Sequence, residues 1–258
     1  MGGHIDMRIV TLTSDFGTRD YYAGYMRGVV LSQAPHVALA DITHDIEHFD
    51  IVQAAFVLKS AYRSFPPGSV HLILVHHRLG SQDVLCVKQD DQYFIAPDSG
   101  ILTLIFEGLS SAVRLTNPDA LSWQVLMAKA VARIDQGDEL TVLGPQVTDF
   151  ERKIHLKAVV TQAYIKGAAI YIDGYDNIIF NITRDLFEKV QNGRPFELYY
   201  KRHDPITMIH EHYHQVPVGE VACIFNQAGY LELGINMGKA ATLLGFKIDD
   251  IIQIHFAE

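Results

Sequence analysis

The chain has 258 residues, of which 48% are hydrophobic and 20% are charged, and its formal net charge is −9 at pH 7. This composition is typical of a globular protein with a sizeable core, and the negative charge argues against a general nucleic-acid or acidic-membrane surface. We therefore expect its partners to be small molecules or further copies of the chain. No apolar run is long enough for a membrane span, and no amino-terminal signal peptide is recognisable.

The two cysteines indicate the expected compartment. Cys86 and Cys223 both lie in apolar, strand-like runs. Such positions favour reduced, buried thiols, which are the usual state in the cytosol. We therefore expect a cytoplasmic protein.

The first predicted strand, residues 8–13, is short, apolar and β-branched, and it ends at Ser14-Asp15-Phe16-Gly17. Ligands of open α/β sheets lie at the carboxyl ends of strands, so Asp15 is a candidate binding residue. An ionised carboxylate can accept two hydrogen bonds at once, as a cis-diol requires. Capping of the helix that follows is an equally good interpretation. That helix is predicted to carry one apolar face, made of Tyr22, Met26, Val29 and Val30.

Strands and helices alternate up to about residue 145. The run 70–75 (VHLILV) is continuously apolar, which is typical of a strand buried on both faces of a parallel sheet. The alternation indicates an α/β layer architecture. Further strands are predicted at 37–41, 84–88 and 93–96, and helices at 51–62, capped by Asp50, and at 122–136.

The pattern changes after Gly144-Pro145. Short strands separated by Gly, Asn and Asp turns now predominate, which suggests a small β-barrel or sandwich. We predict an α/β domain with a mostly parallel sheet over residues 7–148 and a smaller β-barrel domain over residues 155–258. The predicted strands of the second domain are 156–163, 169–172, 178–182, 196–200, 221–225, 231–234 and 251–256, with short helices at 184–190 and 239–244.

Four stretches, in order along the chain, resemble one family. They read TLTSDFGTRDYYAG (11–24), DITHDIEHFDI (41–51), DGYDNIIFNI (173–182) and NQAGYLELGINMGKAA (226–241). Together they resemble the S-adenosylmethionine (SAM) hydroxide adenosyltransferases, which are relatives of the SAM-dependent chlorinase and fluorinase. The resemblance covers nearly the whole chain from Met7. It implies an α/β amino-terminal domain, a β-barrel carboxy-terminal domain and a homotrimer, with each substrate site between the first domain of one subunit and the second domain of a neighbour.

The resemblance also implies roles for individual side chains. Asp15 would hold the ribose hydroxyls, and Phe49 would pack against the bound nucleoside. Asp173 would bind the methionine ammonium, which suits a carboxylate. From the residues alone, Phe49 would more often be a core residue, and a turn residue is the alternative role for Asp173.

The adenine end of the implied site lies in the second domain. There Asn177 would read the adenine edge, since an amide carries both a donor and an acceptor, together with backbone groups near Ile235 and Met237. A tight hairpin turn is the alternative role for Asn177. Asp176 and Gln227 stand where the family has glycine and serine. Asp176 would bring a negative charge beside Asp173, which helps to bind an ammonium but not adenine.

The chain departs from the family where the family supplies an aspartate, an arginine and a histidine that activate water. The family reads V-D-P-G-V-G-T-x-R-R, whereas residues 75–84 read VHHRLGSQDV, with His76 at the aspartate position and Asp83 at that of the first arginine. The family's H-G-R-D helix start aligns with Ser122-Trp123-Gln124-Val125. A neutral imidazole is a competent general base near pH 7. We therefore predict His76 as the base, with Arg78 in the vacated cationic place.

A second histidine-rich stretch reads His210-Glu211-His212-Tyr213-His214. On a strand all three histidines would share one face and could ligate zinc or copper, whereas an exposed edge or loop needs no metal and is the favoured interpretation. His76 and His77 with Asp15 could form a metal site in an unrelated hydrolase. Adjacent side chains of an extended segment point in opposite directions, however, so both histidines cannot readily reach one ion. We expect no metal and no resident cofactor.

The resulting functional prediction is a SAM-binding protein that hydrolyses SAM to adenosine and methionine by SN2 attack of water at ribose C5′. The sulfonium is a good leaving group, so orientation and desolvation of a water could suffice. The alternative is a catalytically impaired module that senses or sequesters SAM or adenosine. A metal-dependent hydrolase built on the histidines is a third hypothesis.

Overall fold

The computed structural model describes residues 7–75, 83–200 and 205–257. The chain forms two compact units, and the division between them falls between His155 and Leu156. We call them unit 1 and unit 2. Within the described ranges, no helix has the length and apolar character needed to cross a membrane.

Unit 1 is an α/β layer structure built on one seven-stranded mixed sheet. The strand order is β2-β1-β3-β5-β4-β6-β7, and β2, β1, β3 and β5 run parallel, so the predicted α/β class is confirmed. The other three strands are joined by antiparallel pairs. The elements are β1 (Ile9–Ser14), α1 (Tyr22–Gln33), β2 (Ala38–Thr43), α2 (Ile51–Ala61), β3 (Val70–Leu74), β4 (Val84–Gln89), β5 (Gln92–Pro97), α3 (Ile101–Ile105), β6 (Ala112–Arg114), α4 (Trp123–Asp135) and β7 (Gln146–Val147).

The sheet of unit 1 is covered on both faces. Alternate residues of β1 point to opposite sides, so Val10 and Leu12 enter the core shared with α1 and α4. On the other face, Ile73 of β3 belongs to a second core with α2 and α3. All five residues of β3 are buried, as its apolar sequence predicts.

One histidine lies inside the second face of the sheet. The His71 Nδ1 atom is 2.7 Å from Thr11 Oγ1, and Nε2 is 2.8 Å from Gln92 Oε1. The Gln92 amide is oriented by its own donation to Phe65 O at 2.7 Å, so His71 Nε2 carries the proton and Nδ1 accepts from the threonine hydroxyl. The ring stacks on Phe94 with centroids 4.7 Å apart. Burial lowers the pKa of His71 to about 4, so the imidazole is neutral.

Unit 2 is a curled antiparallel sheet around a separate core. Its strand order is β11-β14-β9-β10-β13-β12, and β8 pairs with β9, which confirms the predicted β-barrel type of fold. The elements are β8 (Val159–Val160), β9 (Tyr164–Ile172), β10 (Ile178–Thr183), α5 (Arg184–Gln191), β11 (Phe196–Tyr199), β12 (Val221–Phe225), β13 (Tyr230–Ile235), α6 (Ala240–Leu244) and β14 (Ile251–Phe256).

A short connecting segment, residues 206–210, contacts both outer strands of this sheet. Ile206 exchanges two backbone hydrogen bonds with Leu198 of β11, at 2.8 and 2.9 Å. At its other end, His210 N donates to Cys223 O of β12 at 2.7 Å. The segment therefore bridges the two ends of the six-strand path.

Two local predictions were wrong. Only Val159–Val160 of the predicted strand 156–163 pairs with another strand, and Leu156 is 66% exposed. Apart from Ala158, which packs against the core, its apolar residues are exposed, so apolar composition overestimated the strand. The predicted apolar face of α1 included Tyr22, but this residue begins the helix and its side chain is 48% exposed.

Candidate functional site

Asp15 connects two loops at the carboxyl ends of β1 and β2. Its Oδ2 atom accepts a hydrogen bond of 2.9 Å from the backbone N–H of Phe49. The N-cap of α1 is Tyr21, which makes no side-chain capping hydrogen bond. The helix-capping interpretation of Asp15 is therefore wrong. The carboxylate lies at the edge of the parallel strands where ligands of such sheets bind.

Phe49 adopts an unusual backbone conformation. Its φ is 67°, in the left-handed region that non-glycine residues adopt at a cost. The bond from Phe49 N to Asp15 stabilises this conformation, as does Asp50, which accepts from Val52 N and Gln53 N and caps α2 as predicted. The Phe49 side chain is 65% exposed, so the core interpretation is wrong. The loop presents the ring at the surface.

Four polar side chains form a network next to Asp15. Ser14 Oγ is 2.6 Å from His44 Nδ1, and both residues are buried. On the other side of the imidazole, Nε2 is 3.1 Å from Asp41 Oδ1, and Arg27 forms a bidentate pair with the same carboxylate. Partial burial opposes ionisation of Asp41, but the hydrogen bonds from Arg27 and His44 outweigh it and hold its pKa below the ordinary value.

The predicted catalytic residues His76 and Arg78 lie outside the described residues. Of the other positions that depart from the family pattern, Asp83 forms an ion pair of 2.8 Å with Arg114 Nε. Trp123 begins α4, and its ring centroid is 6.5 Å from that of Phe16, two residues after Ser14.

Asp173 and Asn177 lie together in the turn between β9 and β10. Asp173 Oδ1 accepts from the backbone N–H groups of Tyr175 and Asn177 at 2.9 and 2.8 Å, and Oδ2 accepts from Asn177 Nδ2 at 3.0 Å. Both are therefore turn residues, as the alternative interpretation holds. A carboxylate has about four lone-pair sites, so Asp173 keeps acceptor capacity for a ligand.

Asp176, in the same turn, has φ of 72° where the family has glycine. Two contacts to α6 stabilise this conformation: Asp176 Oδ2 accepts from Thr242 N, and the backbone O accepts from Ala241 N, both at 2.8 Å. The extra carboxylate is thus already engaged by a backbone N–H group of α6.

A buried carboxylate lies next to this turn and was not singled out in the sequence. Glu232 accepts from the Tyr213 hydroxyl and, at 3.0 Å, from Asn226 Nδ2. Burial raises the pKa of Glu232, the charge of Asp173 adds to the increase, and the two hydrogen bonds oppose it. Burial and the bond to Glu232 raise the pKa of Tyr213. Gly234 has no room for a Cβ, since Asn177 Oδ1 would lie 2.6 Å from it and the Tyr213 ring also blocks the space.

Ile235 and Met237 lie at the end of β13 and in the turn after it. Ile235 pairs with Val221 and is buried, and its carbonyl accepts from Gly238 N at 2.9 Å. Met237 has φ of 57° and is 87% exposed. Asn177 packs next to the same strand at Gly234, so the structure brings three of the predicted adenine-site positions to one region of unit 2.

The histidine-rich stretch does not form a strand. Tyr213–Gln215 is a 3₁₀ turn, and the rings of His212 and His214 stack with centroids 5.2 Å apart. His210 instead lies against β12, with Cys223 N donating to its Nδ1 at 3.4 Å. The alternative in which all three would share one face of a strand is therefore wrong. In the part of the chain that the structure describes, no group of three or more His, Cys, Asp or Glu residues could hold a metal ion.

Both units match models of one protein family. The SAM hydroxide adenosyltransferase N-terminal domain matches residues 10–144, and the corresponding C-terminal domain matches residues 167–253. The chain belongs to the SAM hydroxide adenosyltransferase family. The resemblance of the four sequence motifs is therefore confirmed.

Several members and relatives of this family are similar to the chain over nearly its whole length. It is 25% identical to the (R)-S-adenosyl-L-methionine hydrolase of Methanocaldococcus jannaschii, with 95% of each chain covered. It is 23% identical to a fluorinase of an Actinoplanes species, covering 90% of this chain and 92% of that protein. The crystal structure of an uncharacterized conserved protein from Thermotoga maritima superimposes with a TM-score of 0.84 at 28% identity, covering 96% of this chain and 99% of that one.

Within this family framework, the structure adds residues that the motifs contain but that sequence reasoning passed over. His44 belongs to the DITH stretch and Glu232 to the LEL stretch. The sequence signal for both residues was a polar side chain within an apolar strand or at its end. Such a signal does not reveal which residue of another strand or loop that side chain contacts. Ser14 and Tyr213 acquire their roles only through those partners.

Proposed function

We propose that this protein hydrolyses SAM to adenosine and methionine. The observation that carries the proposal is the match of both family domains, in order, to a chain that presents Asp15 at the carboxyl end of its first parallel strand. Relatives named as (R)-S-adenosyl-L-methionine hydrolases, similar over nearly the full chain, support the same reaction.

The reaction is a displacement at the ribose C5′ carbon. A water oxygen forms the new C5′–O bond while the C5′–S bond breaks, and its electron pair stays on sulfur, so methionine leaves as a neutral thioether. One water proton is released. Because the leaving group is a sulfonium, the protein has to position the water, exclude bulk solvent and accept that proton.

In this proposal Asp15 binds the ribose diol through its carboxylate, and the exposed ring of Phe49 contacts the nucleoside. Asp173 binds the methionine ammonium, and Asn177 binds the adenine edge near Ile235 and Met237. The free acceptor capacity of Asp173 and the close packing of Asn177 at Gly234 are consistent with these roles.

The general base in this proposal is His76, with Arg78 in the cationic place nearby. Both follow the buried strand β3, whose carboxyl end neighbours that of β1 in the sheet. A neutral imidazole can take the proton from the attacking water near pH 7. Neither a metal nor a resident cofactor has a step in this reaction.

We further propose a cytoplasmic homotrimer in which neighbouring copies complete each site. Four large aromatic side chains of unit 1 are exposed in a single chain, which suits burial against another copy. They are Tyr21, Tyr22, Tyr25 and Phe49, with exposures of 70, 48, 50 and 65%. Both cysteines are free and buried, which fits a reducing compartment.

A binding module without catalysis is the second candidate function. The start of α4 favours it, because Ser122 and Trp123 stand where the family has H-G-R-D and offer no group that takes up a proton near pH 7. In this case the protein binds SAM or adenosine and releases it unchanged.

Adenosine release from SAM decides between the two. The purified protein is incubated with SAM and the products are separated chromatographically, with a protein-free sample to measure spontaneous decay. We expect adenosine and methionine in equal amounts from the wild type. We expect much less from Asp15→Asn, which loses about 1.5–3 kcal/mol of charge-assisted hydrogen bonding to the diol. The exposed Asp119→Asn is the matched control. Tight SAM binding without adenosine release would establish the module instead.

A further inference from the structure

The network of Ser14, His44, Asp41 and Arg27 includes the residue that directly precedes the proposed ribose-binding residue Asp15. We propose that His44 is a positioning residue that fixes the loop carrying Asp15 in the orientation that binds the diol. The inference rests on the proposed function, because it concerns the same carboxylate. It assigns His44 no contact with the ligand.

His44 is bonded to the residues on both sides of Asp15. Its imidazole Nδ1 is 2.6 Å from the hydroxyl of Ser14. Its backbone carbonyl accepts from Gly17 N at 2.7 Å. A third bond, from Ile46 N to Ser14 O at 3.3 Å, joins the same two loops. The turn that carries Asp15 is thus anchored to residue 44 before and after the carboxylate.

The imidazole is itself fixed from the opposite side. His44 is only 5% exposed, and its Nε2 atom is 3.1 Å from Asp41 Oδ1 and 3.2 Å from Arg27 Nη2. Arginine can only donate and an ionised carboxylate can only accept, so one of them satisfies Nε2 in either neutral tautomer. When Nε2 is protonated and donates to Asp41, Nδ1 accepts from the Ser14 hydroxyl. When Nε2 accepts from Arg27, Nδ1 is protonated and donates to that hydroxyl.

Asp15 completes the arrangement through the next loop. Its carboxylate accepts from Phe49 N, five residues after His44. Loss of the imidazole would remove the 2.6 Å contact of the Ser14 hydroxyl and leave the turn with its backbone bonds and the carboxylate with the bond from Phe49 N. Small displacements of a binding group weaken directional hydrogen bonds strongly. We therefore expect loss of His44 to weaken binding of the diol specifically.

The test compares two ligands and two substitutions by calorimetry. The ligands are adenosine and 2′,3′-dideoxyadenosine, which lacks the diol. His44→Asn places an amide near Nδ1 and keeps a side-chain partner for the Ser14 hydroxyl, whereas His44→Gln reaches toward Nε2 and leaves that hydroxyl with only its 3.4 Å contact to Phe16 N. The exposed His36→Gln is the matched control, and melting temperatures identify variants that merely unfold.

We expect His44→Gln to weaken adenosine binding about tenfold or more and to leave dideoxyadenosine binding unchanged. His44→Asn should retain more adenosine affinity than His44→Gln. In the Asp15→Asn background, His44→Gln should have little further effect, because the two act as a unit. Equal losses for both ligands, or additive losses with Asp15→Asn, would overturn the positioning role. A wild type that binds neither ligand would instead overturn the proposed function.

A measurement on the ligand-free protein tests the positioning role of His44 without relying on ligand affinity. Hydrogen exchange of the Phe49 amide reports its bond to Asp15. We expect this amide to exchange faster in His44→Gln than in the wild type and His36→Gln. An unchanged exchange rate in a folded His44→Gln variant would contradict the inference even if adenosine affinity fell.

Discussion

The side-chain amide of Asn177 donates to the carboxylate of Asp173 at 3.0 Å, within one five-residue turn. The proposed adenine-binding and ammonium-binding side chains are thus joined by a direct hydrogen bond. The bond orients the Asn177 amide, whose oxygen faces Gly234. Asp173 also accepts two backbone N–H groups of the same turn. The two side chains therefore form one unit, and a change at either should alter both ends of the ligand site.

The first prediction is that substitutions of these two residues are not additive. Asp173→Asn and Asn177→Ala should each weaken SAM binding about tenfold or more, at about 1.5–3 kcal/mol for a charge-assisted hydrogen bond. The double variant should bind SAM only slightly less tightly than the single variant with the lower affinity, because each change already disrupts the turn. Calorimetry measures all four affinities, and Asp119→Asn controls for a charge change elsewhere. Strictly additive losses would show that the residues act separately.

The second prediction concerns His71 and the pH dependence of stability. The folded-state pKa of about 4 lies below the ordinary value of 6.5, so the unfolded chain binds more protons between these values. The free energy of unfolding should therefore fall as the pH drops from 7 toward 4, by about 3 kcal/mol from this group alone.

Urea denaturation at a series of pH values measures this effect. His71→Phe removes the titrating group, so its stability should depend less steeply on pH in this window, whatever its absolute stability. The exposed His36→Gln should keep the wild-type slope. An identical slope in wild type and His71→Phe would show that His71 is not the group responsible.

The third prediction tests the general base. If His76 accepts the water proton, the rate should rise with pH through a value near the ordinary histidine pKa of about 6.5. A bound sulfonium favours the neutral imidazole and should lower that value. His76→Ala should lower kcat by roughly 10²–10⁴-fold while leaving adenosine affinity nearly intact. His77→Ala is the matched control. Wild-type turnover in His76→Ala would place the base elsewhere.

The fourth prediction is a homotrimer in solution. Light scattering of the wild type at micromolar concentration should give three times the mass of one 28.9 kDa chain. Tyr21→Glu and Tyr25→Glu place charges on exposed aromatic positions of α1 and the turn before it. If these positions lie at the interface, either variant should shift the mass toward the monomer, because burying an unpaired charge is costly. A wild type that stays monomeric would contradict the assembly.

Much of unit 1 could be predicted because its sequence carries strong local signals. The apolar run of β3 indicates a strand buried on both faces, and Asp50 at the start of an apolar stripe indicates a helix. The short helix α3 was missed since it has only five residues, four of them buried, and so shows no periodicity. The second unit was harder to delimit: β9 begins at Tyr164, five residues before the predicted start.

The candidate site shows the same division between local and long-range information. Asp15, Phe49, Asp173 and Asn177 could be selected because they stand in motifs. Their partners could not, because the sequence does not show that Asp15 bonds a backbone N–H 34 residues away. The same holds for His44, whose partner Ser14 lies 30 residues earlier. Registers between strands and loops determine these pairs, and one sequence does not contain them.

The bridge formed by Ile206 and His210 has a consequence for behaviour at high concentration. An outer strand with unpaired N–H and C=O groups can recruit a strand from another molecule, which is a common start of aggregation. In unit 2, Ile206 occupies both hydrogen-bonding groups of Leu198, and His210 occupies the carbonyl of Cys223. These backbone groups of the outer strands are therefore not available to pair with a strand of another molecule. Substituting proline for Ile206 would remove one donor and should increase precipitation during refolding.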